Sequence, residues 1–157
     1  MNIVFVCMGN ICRSPSAQGV FEKHLKNNNI QDFYNIDSAG THSYHIGASP
    51  DPRSVAAAKH VGIDISQQKA RKISTEDFEN FDYIIVMDNS NHMNIKMLCP
   101  KKYQYKILKM MGFLPNSEFS EVPDPYYGSS NGFKIVLELL EKASCNLYAF
   151  LEKQRQK

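Results

Sequence analysis

The chain has 157 residues, of which 43% are hydrophobic and 22% are charged, and its formal net charge at pH 7 is +2. This length fits one domain, residues 1–157, with the composition of an average soluble globular protein. Since the lysines are scattered apart from Lys101-Lys102, the charge indicates neither a nucleic acid nor a membrane as a partner.

The first predicted element is a short strand, because the apolar run Ile3-Val4-Phe5-Val6 is typical of a strand buried on both faces. The run is far too short for a signal peptide or a membrane span, so we expect a cytoplasmic protein. In that reducing compartment the four cysteines are expected to be free thiols. Because the sequence has no C-x-x-C motif, we expect no zinc site, and no other metal or cofactor is predicted.

A tight loop and a helix are predicted to follow this strand. Gly9 and Asn10 are the residue types that best tolerate left-handed backbone. Ser14-Pro15 is typical of a helix cap followed by proline at the first helical position, which predicts a helix over about residues 14–27. A strand, a loop and a helix N-terminus in this order direct backbone N–H groups and the positive end of the helix dipole towards one point. The sequence therefore predicts a binding site for a dianion of the size of phosphate.

This loop carries a cysteine and an arginine with complementary chemistry, Cys7 at the end of the strand and Arg13 six positions later. Helix N-termini and neighbouring cations favour the thiolate, which is the nucleophilic form of cysteine. The planar guanidinium of Arg13 matches two phosphate oxygens at once, which a lysine does not. The pair predicts a phosphate cradle with a nucleophile at its floor; the alternative is a buried structural cysteine beside a surface arginine.

Local signals mark where later helices begin and end. Asp51-Pro52 is a cap followed by proline, and Gly62 predicts the end of that helix. Ser74-Thr75-Glu76-Asp77 fits a capping box. Asp88 directly follows the most apolar strand after the first, and we expect it to cap the helix beyond.

Strands and helices alternate along the whole chain. Besides the elements already described, the pattern predicts strands over residues 34–39, 83–87 and 105–108, and a long final helix from about Ser130 to Lys153. Such alternation implies right-handed βαβ units, and hence an α/β fold with a four-stranded parallel sheet and helices on both faces. If strand 1 lies between strands 2 and 3, in the order 2-1-3-4, the phosphate-binding loop after strand 1 occupies the topological switch point where such sheets bind ligands.

Residues 40–52 form a segment without periodicity that contains two glycines and two prolines. In an otherwise compact chain, a loop of this length indicates a functional role. His42 and His45 within it have no nearby cysteine ligands, and we interpret them as surface residues rather than metal ligands.

The loop C-M-G-N-I-C-R-S-P at residues 7–15 resembles the signature of the low-molecular-weight protein tyrosine phosphatases. The resemblance continues through the segments Asp37–Gly40, Ser49–Arg53, Phe81–Tyr83, Met87-Asp88 and Asp124–Gly128. It implies a phosphatase that hydrolyses protein phosphotyrosine and small aryl phosphates through a phosphocysteine, without a cofactor. The expected partners are phosphotyrosine-containing proteins or peptides, and the expected assembly is a monomer or a weak dimer.

The resemblance implies three catalytic residues. Cys7 attacks phosphorus, Arg13 and the loop amides hold the phosphate oxygens, and Asp124 protonates the leaving oxygen and later activates water. Asp124 lies between two prolines that stiffen its loop. Without the resemblance, this aspartate would be interpreted as a turn residue.

Other residues are predicted to shape the loop and to contact the substrate. The phosphate-binding loop itself contributes Met8, Gly9, Asn10, Ile11, Cys12 and Ser14. Ser14 is expected to cap the helix and to donate a hydrogen bond to the Cys7 thiolate. By resemblance, the side chains of Asn10 and Ser38 hold the loop in shape through hydrogen bonds.

Substrate recognition is predicted for Ile11 on the loop rim and for Tyr44, Tyr126 and Tyr127, because aromatic side chains can wall a slot for a flat phenyl ring. The chain departs from the family pattern at Gln68, where many members have a histidine; a glutamine still donates a hydrogen bond. We also predict that Cys12 forms a reversible disulfide with oxidised Cys7, unless it is simply a small buried hydrophobic residue.

Three alternative functions remain at the level of sequence. A thioredoxin-coupled arsenate reductase resembles this fold but needs a further cysteine pair after the third strand, where this chain has only Cys99, with Cys145 on the final helix. In a protein-arginine phosphatase of the same fold, the resemblance predicts a small polar residue in place of Ile11. A catalytically silent phosphate-binding module is disfavoured because the nucleophile, the arginine and the acid are all present.

Overall fold

The computed structural model describes residues 1–128 and 131–157, which contain one four-stranded parallel sheet. Its strands, in the spatial order β2-β1-β3-β4, are β1 (Asn2–Cys7), β2 (Asn35–Gly40), β3 (Tyr83–Val86) and β4 (Ile107–Lys109). Every neighbouring pair runs parallel. The predicted fold class and the predicted strand order 2-1-3-4 are confirmed.

Helices cover both faces of this sheet. Those of the described residues are α1 (Arg13–Asn27), α2 (Pro52–His60), α3 (Thr75–Asn80), α4 (Asn89–Leu98) and α5 (Asn131–Arg155). Because side chains alternate along a strand, β1 contributes Phe5 to a buried cluster with α1 and α5, and Val4 to a second cluster with α3 and α4. The first strand is therefore buried on both faces, as its unbroken apolar run predicts.

The predicted caps of three helices are confirmed. The carboxylate of Asp51 accepts a hydrogen bond from the backbone N–H of Arg53 at the start of α2, and Asp88 accepts one from Asn91 at the start of α4. Ser74 and Asp77 form the predicted capping box of α3. These ends are well predicted because each cap depends on residues only two or three positions apart.

The predicted start of α1 is wrong by one residue, and its predicted cap, Ser14, is wrong by two. Arg13 is the first residue of the helix and Cys12 is the N-cap, without a capping side-chain hydrogen bond. The hydroxyl of Ser14 instead points into the preceding loop, where it contacts Cys7 and Asn10. A contact within the site thus takes the place of the local capping interaction.

Other boundaries also differ from those predicted: β2 and β3 differ by one residue, and larger differences occur at β4 and the final helix. Residues 105–106 belong to a 3₁₀ turn, Lys101–Lys106. The ammonium of Lys106 turns inward and donates hydrogen bonds of 2.8 Å to the carbonyls of both Phe78 and Phe81. The final helix extends to Arg155, and its predicted start at Ser130 lies outside the described residues.

Candidate active site

The site lies at the edge of the sheet where β1, β2 and β3 end. In the sheet register, Cys7 at the end of β1 is paired with Gly40, and Val6 is paired with Val86. The chain then passes through the loop at residues 8–12 into α1. Since β1 lies between β2 and β3, this loop is at the switch point of the sheet, as predicted.

A small cavity of about 50 Å³ opens at this loop. Its lining residues are Cys7, Met8, Gly9, Ile11, Cys12, Arg13, Tyr44, His45, Asp124, Tyr126 and Tyr127. Cys7 is only 2% exposed and forms the floor. The structure therefore brings the three predicted catalytic residues and all four predicted substrate-contact residues to one cavity.

The Cys7 sulfur is 3.0 Å from the hydroxyl oxygen of Ser14. That oxygen already accepts a hydrogen bond of 2.8 Å from the side-chain amide of Asn10, so its own proton is available to the sulfur. The alternative acceptor, the carbonyl of Ala39, is 3.4 Å away, which is long for a hydroxyl donor. The Ser14 hydroxyl is therefore placed to donate a hydrogen bond to the Cys7 sulfur.

Asn10 ties the loop to its surroundings. Its backbone is left-handed, with a φ of 57°, and its side chain is buried. The amide nitrogen donates to Ser14 and, at 2.9 Å, to Ser38 on β2, while the amide oxygen accepts from the backbone N–H of Arg71 at 3.0 Å. Both ends of the side chain are thus bonded, and they hold the left-handed turn in place.

Two residues behind the loop complete this support. Gln68 donates a hydrogen bond of 3.0 Å to the carbonyl of Pro15 and lies 3.4 Å from the Ser38 hydroxyl. Gly40 lies so close to the loop that a Cβ atom there would be 2.8 Å from the carbonyl oxygen of Met8. A glycine at the end of β2 therefore allows the loop backbone to pack directly on the sheet edge.

The guanidinium of Arg13 is buried and held by acceptors from two other segments. One terminal nitrogen donates to Asp88 at 2.6 Å and to the carbonyl of Val122 at 3.1 Å, and the other is 3.4 Å from a carboxylate oxygen of Asp124. Burial alone would lower the pKa of Arg13, but the negative charges of Cys7, Asp88 and Asp124 raise it above its ordinary value. Arg13 is therefore a permanent cation inside the site.

Asp88 is a site residue that sequence analysis missed. It was predicted only as the cap of α4, and one carboxylate oxygen does accept the backbone N–H of Asn91 at 2.7 Å. The other oxygen orients Arg13. A signal was available, because Asp88 directly follows the strand beside the Cys7 strand, and the carboxyl ends of neighbouring parallel strands share one edge.

Asp124 lies on a separate loop above the cradle. The loop is anchored to the end of β3, since the backbone N–H of Val122 donates to the carbonyl of Met87 at 2.9 Å. One carboxylate oxygen of Asp124 accepts the backbone N–H of Tyr126 at 3.1 Å, and the other faces Arg13. Its side chain is 28% exposed. The carboxylate is therefore fixed beside the phosphate site and still reaches solvent.

Aromatic side chains form the rim. Tyr44 and Tyr127 are 71% and 78% exposed, and the rings of Tyr126 and Tyr127 meet edge to face at 5.0 Å. The Tyr44 ring stacks on His42 at 5.1 Å. His45, interpreted above as a surface residue, lines the cavity with its ring 6.3 Å from that of Tyr126. The fold of the 40–52 loop places His45, but not His42, in the cavity lining, and the sequence did not indicate this difference.

Cys12 is a buried thiol in the same cavity lining as Cys7. Burial, with a smaller contribution from the charges of Asp51 and Cys7, raises its pKa to about 12. Cys12 is therefore protonated near neutral pH.

Within residues 1–128 and 131–157, no group of three or more His, Cys, Asp or Glu side chains is arranged to hold a metal ion. None of the helices in these residues has the length and apolar character that crossing a bilayer requires. The positive charge of the cradle comes from Arg13 and from the N-terminus of α1.

Known proteins match the chain over nearly its whole length. Residues 2–157 match the family model described as low molecular weight phosphotyrosine protein phosphatase. The chain is 41% identical to the phosphatase of that name from Sus scrofa over 156 residues, which is 98% of this chain and 96% of the relative. A protein tyrosine phosphatase from Entamoeba histolytica, solved with Hepes in its active site, has a TM-score of 0.95 and 43% identity, covering 99% of each chain. The arginine phosphatase YwlE has a TM-score of 0.87 and 26% identity, also covering 99% of each chain.

Proposed function

Because the chain belongs to the low molecular weight phosphotyrosine protein phosphatase family, we propose that it hydrolyses protein phosphotyrosine and small aryl phosphates through a phosphocysteine on Cys7. The observation that carries this proposal is the meeting of Cys7, Arg13 and Asp124 at one small cavity. A nucleophile, a phosphate-binding cation and a proton donor are the groups that the two-step reaction needs.

In the first step, the Cys7 thiolate attacks phosphorus while the bond from phosphorus to the phenolic oxygen breaks. Arg13 and the backbone N–H groups of the loop bind the non-bridging oxygens as their charge is redistributed in the transition state. Asp124 gives its proton to the departing oxygen. The products are a phosphocysteine, a free phenol and the carboxylate form of Asp124.

In the second step, the Asp124 carboxylate takes a proton from a water molecule that attacks the phosphocysteine. The bond from sulfur to phosphorus breaks, inorganic phosphate is formed, and the thiolate of Cys7 leaves. The hydroxyl of Ser14, 3.0 Å from the sulfur, stabilises that thiolate. The cycle then returns to the protonated Asp124 of the starting state.

The rim favours an aryl phosphate as substrate. Ile11 belongs to a small apolar cluster with Cys12 and Phe133, and Tyr126 and Tyr127 line the same cavity as Ile11. Apolar and aromatic walls suit a phenyl ring, whereas the Ile11 side chain offers no hydrogen-bond partner to the polar N–H groups of a phosphoarginine. This difference supports a tyrosine phosphatase over an arginine phosphatase.

The position of Cys99 disfavours an arsenate reductase. Cys99 follows the last residue of α4, whereas Asp88 at the opposite end of that helix contacts Arg13. A helix rises 1.5 Å per residue, so the ten residues of α4 place Cys99 roughly 15 Å from the Asp88 end. At that distance Cys99 is not placed to receive oxidation directly from Cys7.

Replacing Asp124 with alanine tests the proposed function. We expect kcat/KM for a phosphotyrosine peptide to fall by roughly 100-fold or more, because a poor leaving group needs the proton. The loss should be clearly smaller for p-nitrophenyl phosphate, whose phenolate leaves without one. The exposed Asp32, on the 3₁₀ turn before β2, provides a matched control, and Asp32→Ala should behave like the unsubstituted protein. Equal losses with both substrates would contradict the acid role of Asp124.

Mild peroxide should inactivate the enzyme reversibly. Oxidation of Cys7 to a sulfenic acid allows the Cys12 thiol to attack the oxidised sulfur, which forms a disulfide and releases water. A thiol reductant then restores activity. In Cys12→Ser, turnover should persist but recovery after peroxide should be largely lost; Cys99→Ser, which removes a buried thiol outside the cavity, should recover normally. Equal recovery of Cys12→Ser and the unsubstituted protein would remove Cys12 from any protective role.

A further inference from the structure

Arg53, on the first turn of α2, lies between the phosphate-binding loop and the loop that carries Asp124. Its guanidinium donates two hydrogen bonds to the carboxylate of Asp51, of 3.0 and 2.9 Å. A terminal nitrogen is also 3.4 Å from the carbonyl oxygen of Tyr126. The Arg53 side chain is 46% exposed, so these polar contacts, rather than packing in the core, hold it in place.

Asp51, the carboxylate partner of Arg53, is fixed to the phosphate-binding loop. The backbone N–H of Asp51 donates to the carbonyl of Ile11 at 2.8 Å, and the Asp51 carboxylate accepts the backbone N–H of Arg53 at the same distance. The hydrogen bond from the Arg53 side chain is the main cause that lowers the pKa of Asp51. Asp51 is therefore an anion that holds Arg53 at a set distance from the cradle.

The Arg53 guanidinium also contacts the loop that carries Asp124. The guanidinium of Arg53 lies over the rings of Phe133, at 4.7 Å, and Tyr126, at 5.4 Å. Tyr126 is the residue whose backbone N–H donates to the carboxylate of Asp124, at 3.1 Å. A single residue thus accepts a hydrogen bond from Arg53 through its carbonyl and holds Asp124 through its N–H.

We propose that Arg53 is a positioning residue that fixes the Asp124 carboxylate relative to the Cys7 cradle, acting through Asp51 on one side and the backbone of Tyr126 on the other. This inference rests on the proposed role of Asp124 as general acid. Proton transfer requires the acid within hydrogen-bond reach of the leaving oxygen, and misplacement by about 1 Å can cost up to 100-fold. Only a planar guanidinium can bind the Asp51 carboxylate through two nitrogens while stacking on two rings.

Two substitutions of Arg53 test this arrangement. Arg53→Met keeps the length and the apolar stem but removes every donor, whereas Arg53→Lys keeps the charge without the planar fork. For a phosphotyrosine peptide, we expect kcat/KM to fall about 10-fold in Arg53→Met and by an intermediate amount in Arg53→Lys. With p-nitrophenyl phosphate the loss should be clearly smaller, and competitive inhibition by inorganic phosphate should be unchanged because the cradle is intact.

A double-substitution cycle separates positioning from simple stabilisation. If Arg53 acts through Asp124, Arg53→Met should cause no further loss of kcat/KM for the peptide once Asp124 is alanine. Arg155→Met is the matched control, since Arg155 also pairs with a carboxylate, that of Glu152, and lies over an aromatic ring, that of Phe33, at 4.5 Å. This control should reproduce any general effect on the melting temperature without the dependence on leaving group.

Three outcomes would overturn the inference: equal losses of Arg53→Met with both substrates, a full further loss in the Asp124→Ala background, or the same leaving-group dependence in Arg155→Met. If Arg53→Met does not fold, Arg53→Lys provides the same comparison. A failure of the inference is distinguishable from a failure of the proposed function, because the latter would remove the leaving-group dependence of Asp124→Ala itself.

Discussion

Replacing Cys7 with serine is expected to abolish turnover and to leave the binding of inorganic phosphate nearly intact. A serine hydroxyl does not ionise near neutral pH, so the first step loses its nucleophile, with a loss in kcat of roughly 10⁴-fold or more. The Arg13 guanidinium and the loop held by Asn10 do not depend on the sulfur, and the anion site should persist. Phenol release from an aryl phosphate measures turnover, and calorimetry with inorganic phosphate measures binding.

The matched control for this experiment is Cys99→Ser, because Cys99 is also buried but lies outside the cavity. It should retain normal kcat and normal phosphate affinity. Substantial turnover by Cys7→Ser would contradict the phosphocysteine mechanism. Loss of phosphate binding together with turnover would instead indicate that the cradle itself depends on the thiolate.

Replacing Arg13 with lysine should lower kcat by at least about 100-fold, which is the cost of losing one preorganised oxyanion donor. The charge is kept, but a single ammonium cannot bind Asp88, the carbonyl of Val122 and a phosphate oxygen in the way that a planar fork does. A lysine that pairs with the partly buried Asp88 would therefore not bind phosphate in the geometry of the guanidinium. The measurement is steady-state turnover of a phosphotyrosine peptide, together with the dissociation constant of inorganic phosphate.

Arg155→Lys is the control for the Arg13 substitution, since it changes an arginine paired with Glu152 that does not line the cavity. Its kinetics should match those of the unsubstituted protein. Near-normal kinetics of Arg13→Lys would show that the cradle needs only a positive charge. The distinction matters for the mechanism, because the hydrogen bonds of Arg13 to Asp88 and Val122 would then have no catalytic consequence.

Features that depend on near neighbours in the sequence were predicted well. The apolar run of β1, the caps at Asp51 and Asp88 and the capping box at Ser74 each arise from residues within a few positions of one another. The cradle also depends on near neighbours in the sequence, since one short loop joins Cys7 to Arg13. Cys7 and Arg13 could therefore be proposed as nucleophile and phosphate-binding residue from spacing and residue type alone.

Errors arose where a tertiary contact overrides a local preference. Ser14 has the sequence context of a cap, but its hydroxyl turns to Cys7 and Asn10. Lys106 fits the predicted strand, but its ammonium turns to the carbonyl oxygens at the end of α3, and a 3₁₀ turn replaces the strand there. In both cases, a polar group finds a buried partner that lies outside its own element.

By itself, the sequence determined the strand, the loop and the helix that build the cradle, and the pattern of alternating elements that makes a parallel sheet. Tertiary structure alone decided which distant groups reach that cradle: Asp88 is 75 positions from Arg13, and Asp124 is 111 positions away. The role of Asp124 was inferred from a family resemblance, and Asp88 was interpreted only as a cap. The physical reason is that local geometry is set by backbone preferences and short hydrogen bonds, whereas these contacts depend on strand register and loop packing, which no single stretch of sequence encodes.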